Sequence, residues 1–510
     1  MNIPYFCFVL CFLASPLPLQ ADDWPQGSGA NGNFQTTEAG PTQWSVALDQ
    51  NIAWKMTLPE TGQSTPVVSK GMVFFSTMKP LEGDAQTGKD IIAWCCDATS
   101  GSILWKNEII GKHPLRLSGC FGDSTGPPAV TDGQHVVFVN ASSGVTCFNL
   151  KGDLVWHQDF LSVGRGLPFL HAGNIVFTRQ IYPPEGDGRF PHKYAESPQE
   201  MWTQLQALNL KTGEVVWTSQ CGVNMGVSVI PQRLSNGRDV VVAGRGGGHG
   251  PPEKPNGISL VDLDDGSTLW TLPLKNFNAT MSFGIYKDQV HLFHGPDHLS
   301  IDASTGKIER QTSIVENVSV CHWNNGDRIT KSETLKKSGS RNITQTSNLL
   351  VGKWNYFRHY KRPLLGRVNV ESGLVEYLEL PLQLSRAVDQ EDQFLWFDKN
   401  KKKMETQTIV PNDMKNSRGF VVFGDKRSKG SGWGHVASPS PTVSGSNLYV
   451  PVMNGTVYVL NWKSDTFDES SIVAINDLGL AGQSYTRASL SFADGKAFAH
   501  TLKELICIGK

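Results

Sequence analysis

The 510-residue chain has almost no charge imbalance: 46 Lys and Arg stand against 47 Asp and Glu, for a net charge of −1. No global field draws it to nucleic acid or to an anionic membrane. Convincing amphipathic helical periodicity is missing, and no segment after the first 21 residues is apolar enough to span a bilayer. No Cys-x-x-Cys-His haem-attachment run occurs. Of nine cysteines, Cys7 and Cys11 fall near the N-terminus, leaving Cys95, Cys96, Cys120, Cys147, Cys221, Cys321 and Cys507. That odd number excludes a fully paired disulfide framework, and most of these thiols are expected to pack as small apolar residues.

The first 21 residues read as an export signal. Ile3 to Leu19 is apolar, interrupted by Pro4, Ser15, Pro16 and Pro18, and Leu19-Gln20-Ala21 precedes Asp22-Asp23. No Lys or Arg precedes the apolar run. The expected organisation is a signal at 1–21, an extension at 22–43 and one domain over 44–510, placing the mature protein in the periplasm or outside the cell.

Glycine is plentiful, at 51 residues, and much of it marks a repeat. The clearest copies are Asp97–Trp105, Asn209–Trp217 and Asp262–Trp270. A shorter copy runs from Asn149 through Gly152 to Trp156. Asp302–Arg310 and Asn369–Tyr377 keep the glycine and lose the tryptophan, and a last one at Asn461–Asp465 keeps little but the turn. The leading Asp or Asn can accept hydrogen bonds from the main chain two residues on. The glycine admits positive φ, and the tryptophan offers a large surface to bury. Trp54, Trp105, Trp156, Trp217 and Trp270 recur at 51, 51, 61 and 53 residues, each interval holding about four short strands. One four-stranded sheet cannot bury both faces alone, so the copies must stack.

The fold class expected is all-β: an eight-bladed β-propeller with four antiparallel strands per blade. Seven blades is the alternative if Asn348–Leu380 is not a true blade. The C-terminus supplies three strands near Arg487–Phe492, Lys496–Thr501 and Leu505–Ile508. Asn51–Lys55 supplies the fourth and closes the ring, leaving no free sheet edge there. The stretch 383–434, with charge clusters and a Gly-Ser run, reads as an irregular insertion.

These repeats resemble the PQQ-like (pyrroloquinoline-quinone-like) β-propeller family, which includes quinoprotein alcohol dehydrogenases and the outer-membrane assembly scaffold BamB. The turns Asp97–Trp105, Asn209–Trp217 and Asp262–Trp270 carry the resemblance, with Gly62–Val68 at the first inner strand and Trp24-Pro25-Gln26 after the signal. It covers about residues 24–315 well, 436–510 moderately and 316–435 weakly. The resemblance implies a fold; function must come from a site. In the dehydrogenases an adjacent-cysteine disulfide lies against the quinone. Here Cys95-Cys96 falls inside a predicted strand, where neighbours point to opposite faces. Calcium and PQQ require hard oxygen ligands and a carboxylate base. The channel-mouth candidates Asp123, Asn224, Ser228 and Arg487 do not form such a set, so no cofactor and no metal are expected.

The connections between middle strands, and between outer and next inner strands, are the long ones. They gather His113, Arg116, Arg179, Arg189, His192 and His435 with the candidate ligand-binding residues Arg245, His249, His294, His298, Arg358 and His359; Arg487 joins them at the channel mouth. Trp354, Tyr356, Phe357 and Tyr360 form an aromatic group among basic residues, suited to sugars, peptides or anionic groups or to a hydrophobic plug. The favoured function is an exported, non-catalytic, monomeric binding or scaffold module for an envelope protein, peptide or glycan on its loop-rich face. The alternatives are a divergent PQQ-dependent oxidoreductase and a polysaccharide-active hydrolase or lyase using loop histidines such as His249 or His298.

Overall fold

The computed structural model describes residues 23–117, 123–160, 162–164, 166–191, 202–226, 228–246, 253–324, 327–335, 343–385, 393–395, 410, 415–422, 432–433 and 439–510. The signal expected at 1–21 lies outside them. The described chain folds as eight four-stranded antiparallel blades, each running from an inner strand A to an outer strand D. Blade 1 is Val67–Ser69, Met72–Met78, Ile91–Asp97 and Ile103–Ile109. Blades 2 to 5 repeat the order, with outer strands Leu154–Gln158, Val215–Thr218, Thr268–Pro273 and Ile308–Ser313.

Blade 6 is a true blade, Thr344–Val351, Trp354–His359, Leu364–Asn369 and Val375–Glu379. The hairpin Val318–Asn324 and Asp327–Glu333 extends it outward by parallel pairing of Val318–Asn324 with the outer strand. That hairpin hides the blade in the sequence, because it puts extra strands where a D–A connection is expected. Blade 7 is Thr442–Ser444, Asn447–Pro451, Thr456–Asn461 and Ile472–Asp477. Ser491–Ala493, Lys496–His500 and Glu504–Ile508 form blade 8 with Ile52–Thr57, and Trp54 stands opposite Cys507. The chain thus closes its own ring.

The repeat turn is built as its composition dictates. Asp97 Oδ1 accepts from the main-chain N–H of Ser100 at 2.7 Å and of Thr99 at 3.1 Å. These bonds, first of all the one from Ser100, hold the Asp97 carboxyl below its usual range. Gly101 then turns at φ +72°, and an added Cβ would lie 2.8 Å from the Trp54 ring. Each docked tryptophan closes a seam between blades. Trp105, Trp156, Trp217 and Trp270 cover Gly152, Gly213, Gly266 and Gly306 of the following blade. The expected apolar pair after each turn behaves differently from its tryptophan: Ile103, Leu104, Leu154, Val215 and Val216 are exposed on the outer edge.

Residues 23–46 form a strap along the inner strands. Trp24 exchanges main-chain hydrogen bonds with Val68 of blade 1, and Pro25 O accepts from Thr131 of blade 2. Gln26 Oε1 accepts from Leu170 N of blade 3 at 2.7 Å. Gly32 packs on Pro231 beside blade 4, Gln35 pairs with Val443 of blade 7, and Gly40 abuts Phe492 of blade 8. No helix among the described residues is long and apolar enough to cross a membrane.

Candidate functional site

The A–B and C–D turns share one end of the toroid, and the B–C and D–A connections share the other. The second end carries a braced loop layer. Thr87–Gly88 pairs with Leu115–Arg116 as a small ribbon. Arg116 reaches the B–C loop of blade 3, its Nη2 3.6 Å from Asp187 Oδ2, and exposed Arg189 holds the same carboxylate at 3.2 Å. Within 383–434, Gln383–Ser385 pairs with Gln393–Leu395, and residues 415–422 dock on blade 1. There the fully buried Glu60 carboxylate accepts from Arg418 and from Asn416 Nδ2. Gln86 Nε2 donates to Val421 O at 3.0 Å. Trp433, buried, donates to His359 O, and its own carbonyl accepts from Gln345 Nε2 at 2.9 Å. One insertion therefore touches blades 1 and 6 across the same face.

At the channel mouth a second polar group meets. Arg487, half-buried before the inner strand of blade 8, donates to Gln63 Oε1 at 3.3 Å. Gln63 Nε2 donates to Asp123 Oδ2 at 3.2 Å, and Asp123 Oδ1 accepts from Thr125 N at 2.8 Å. Residues from blades 8, 1 and 2 converge here, the candidates Asp123 and Arg487 among them. Asn224 is held apart, donating to Gly246 O and accepting from Gly226 N.

The other ligand candidates do not join this group. Arg245 is buried and its guanidinium donates to the carbonyls of Lys254 and Pro255, bracing its own B–C loop. His294 and Asp297 flank a two-residue hairpin rather than a long loop, and His294 Nε2 lies 3.0 Å from Lys275 O. His298 lies in the following strand, 1 % exposed, stacked on His291 at 5.3 Å and against Phe293. Burial holds it well below the usual histidine range, as a neutral core residue. Arg358 is fully buried; it donates to Pro451 O and Ser347 Oγ, each at 2.6 Å, and to Pro439 O. Desolvation lowers it to about 9. His359 is buried and neutral, pushed down to about 4. His249, with His192 and His435, lies outside the described residues. The expected convergence of histidine and arginine on the loop face thus fails for Arg245, His298, Arg358 and His359, whose groups satisfy buried main-chain carbonyls or fill the core.

The aromatic group also divides. Tyr356 and Phe357 alternate into different core clusters, and Trp354 stacks under Arg367, 3.9 Å from its ring centroid. Sequence reasoning missed Glu60, Asn416 and Arg418 altogether. They are more than 350 residues apart in pairing, and no local motif marks them.

The donor set does not fit a calcium-held quinone. Cys95 and Cys96 are both free thiols in one strand, packed into separate core clusters, and burial raises each to about 12. No group of three metal-ligating His, Cys, Asp or Glu side chains forms among the described residues. Among the described residues the mouth offers one carboxylate, Asp123, already bound by Gln63 and Thr125.

Residues 88–284 match the family model described as outer membrane protein assembly factor BamB. The repeats are similar to those of the PQQ-like β-propeller family. Comparison with the curated proteins gives no match. The fold is similar to the quinohemoprotein alcohol dehydrogenase of Comamonas testosteroni, at 12% identity and a TM-score of 0.51, over 95% of this chain and 80% of that one. It is equally similar to quinohemoprotein alcohol dehydrogenase ADHIIG of Pseudomonas putida HK5, at 11% identity and 0.51, over 96% and 80%. BamB of Moraxella catarrhalis aligns over 89% of this chain and 96% of its own at 10% identity and a TM-score of 0.47. At these identities the likeness shows the fold alone, and a functional reading must come from the site.

Proposed function

We propose that this protein is an exported, non-catalytic scaffold that binds a protein partner of the cell envelope on its B–C and D–A face, as a monomer whose first 21 residues act as the export signal. The observation that carries this reading is the braced layer itself: buried Glu60 pins Arg418 and Asn416 of a distant insertion onto blade 1. A preformed surface of this kind lowers the ordering cost of binding. The match to an assembly-factor model over 88–284 supports the reading. Among the described residues, Cys95, Cys96, Arg245, His298, Arg358 and His359, which sequence alone would put forward for redox, acid–base or ligand chemistry, are buried in packing or spent on main-chain carbonyls. Affinity capture from an envelope fraction, with and without Arg116→Glu plus Arg189→Glu, tests it. Loss of a captured protein in the double variant is expected. Quinone absorption with dye reduction after adding PQQ and calcium would overturn the reading.

A further inference from the structure

The strap follows the inner strands from blade 4 to blade 6 without covering blade 5. A cavity of about 380 Å³ opens there, at the end of the toroid opposite the loop layer. Its polar wall comes from Asn31, Asn33 and Gln35 of the strap, with Gln232, Asn348 and Tyr286 from blades 4, 6 and 5. The volume lies within the usual range for small-molecule sites.

The lining chemistry selects among ligands. The single guanidinium, Arg233, is paired with Asp239 through two hydrogen bonds of 2.7 Å, and Lys287, 5.1 Å from the Tyr286 ring centroid, is paired with Glu371, so both nearby cations are already matched by a carboxylate rather than set for a phosphate. No carboxylate lines the cavity to hold an amine. A peptide adding as a strand needs free main-chain groups. Those of the inner strand of blade 5 are taken, because Gln232 Nε2 donates to Phe283 O at 3.2 Å and its Oε1 accepts from Ile285 N. What remains are amides able both to donate and to accept, beside one aromatic ring. Asn31 is exposed and makes no side-chain hydrogen bond among the described residues, and Asn33 uses only its Oδ1, accepting from Gln35 N at 3.2 Å. Neutral amides matched to hydroxyl groups, with a ring face matched to C–H groups, suit a sugar.

We infer that this cavity binds a neutral carbohydrate of one or two rings, with Asn31 and Asn33 reading hydroxyls and Tyr286 supplying a ring face. The site is separate from the loop face and stands whether or not a protein docks there. Saturation-transfer NMR on the full chain with maltose, cellobiose and N,N′-diacetylchitobiose tests it. Transfer from at least one disaccharide is expected. Asn31→Ala and Tyr286→Ala should each weaken it by about tenfold, and Tyr286→Phe should retain it. Thermal melts of the variants check folding. No transfer from any of the three sugars, or transfer unchanged in both alanine variants, would overturn the assignment.

Discussion

Trp54 and Gly101 meet across the seam where the ring begins: the indole covers the glycine, and its Nε1 donates to Ala98 O at 3.0 Å. The same bond recurs from Trp105 to Leu150 at 3.0 Å, Trp156 to Leu210 at 2.8 Å, Trp217 to Leu263 at 3.0 Å and Trp270 to Ala303 at 2.7 Å. Five consecutive seams are locked alike. At the sixth, Arg310 takes the tryptophan's place and donates to Glu371 O at 2.6 Å. A decayed repeat in the sequence is therefore a seam closed by a different donor.

Truncating a docked indole should cost the ring dearly. Trp217→Ala removes a buried side chain and a hydrogen bond, and should lower unfolding stability by about 3–5 kcal/mol. Gly101→Ala should also destabilise, by about 1–2 kcal/mol for the positive φ alone, with more for the overlap with Trp54. Chemical denaturation of both variants measures this.

Acid should weaken the fold through its buried histidines. His291, His359 and His500 are each pushed down to about 4, chiefly by desolvation. The unfolded chain takes up protons near pH 6.5, whereas the native state resists until about pH 4. Their contribution is whole above pH 6.5 and is lost progressively as pH falls toward 4. The melting temperature should drop through that window, and replacing His500 by Phe should flatten the slope.

Glu253 has the opposite sign. Buried near Arg245, its carboxyl is raised to about 8, first by desolvation. It is neutral in the fold at pH 7 and ionised in the unfolded chain above about 4.5, so stability is lost as pH rises from 4.5 toward 8. Glu253→Gln should stabilise at pH 8 by several kcal/mol, at about 1.4 kcal/mol per pH unit crossed, and have little effect at pH 4.5. Equal effects at both pH values would contradict this assignment.

The insertion's hold on blade 1 is open to a proteolytic test. Glu60→Gln removes the charge that binds Arg418, and the guanidinium is left without its carboxylate partner. Trypsin should then cut after Lys415 or Arg418 faster than in the parent, with cleavage elsewhere unchanged.

Fold and site were legible to different degrees. Asp97, Gly101 and Trp105 announce their turn within nine residues, so blades 1 to 5 can be read locally. Ring closure was also legible, since Ile52–Thr57 has outer-strand character and the C-terminus lacks one strand. Blade 6 was harder, because Val318–Glu333 adds strands between the repeats. The site was least legible. Arg358 and His298 look like loop-face chemistry in the sequence. They are buried because neighbouring strands supply carbonyls, such as Pro451 O, or ring faces, such as Phe293, that exist only once the ring has closed. The strap shows the same limit: Trp24-Pro25-Gln26 is visible as a motif, while its bonds to Val68, Thr131 and Leu170 are not.

The central claim is that a partner docks on the braced loop face. Photo-crosslinking in intact cells tests it most directly, with a photoreactive amino acid placed at Glu82, Arg189 or Lys361 on that face and at Leu154 or Val215 on the outer edge. The account predicts a discrete protein adduct from the loop-face positions and none from the outer edge. Adducts confined to the outer-edge positions, or none from the loop face, would contradict it.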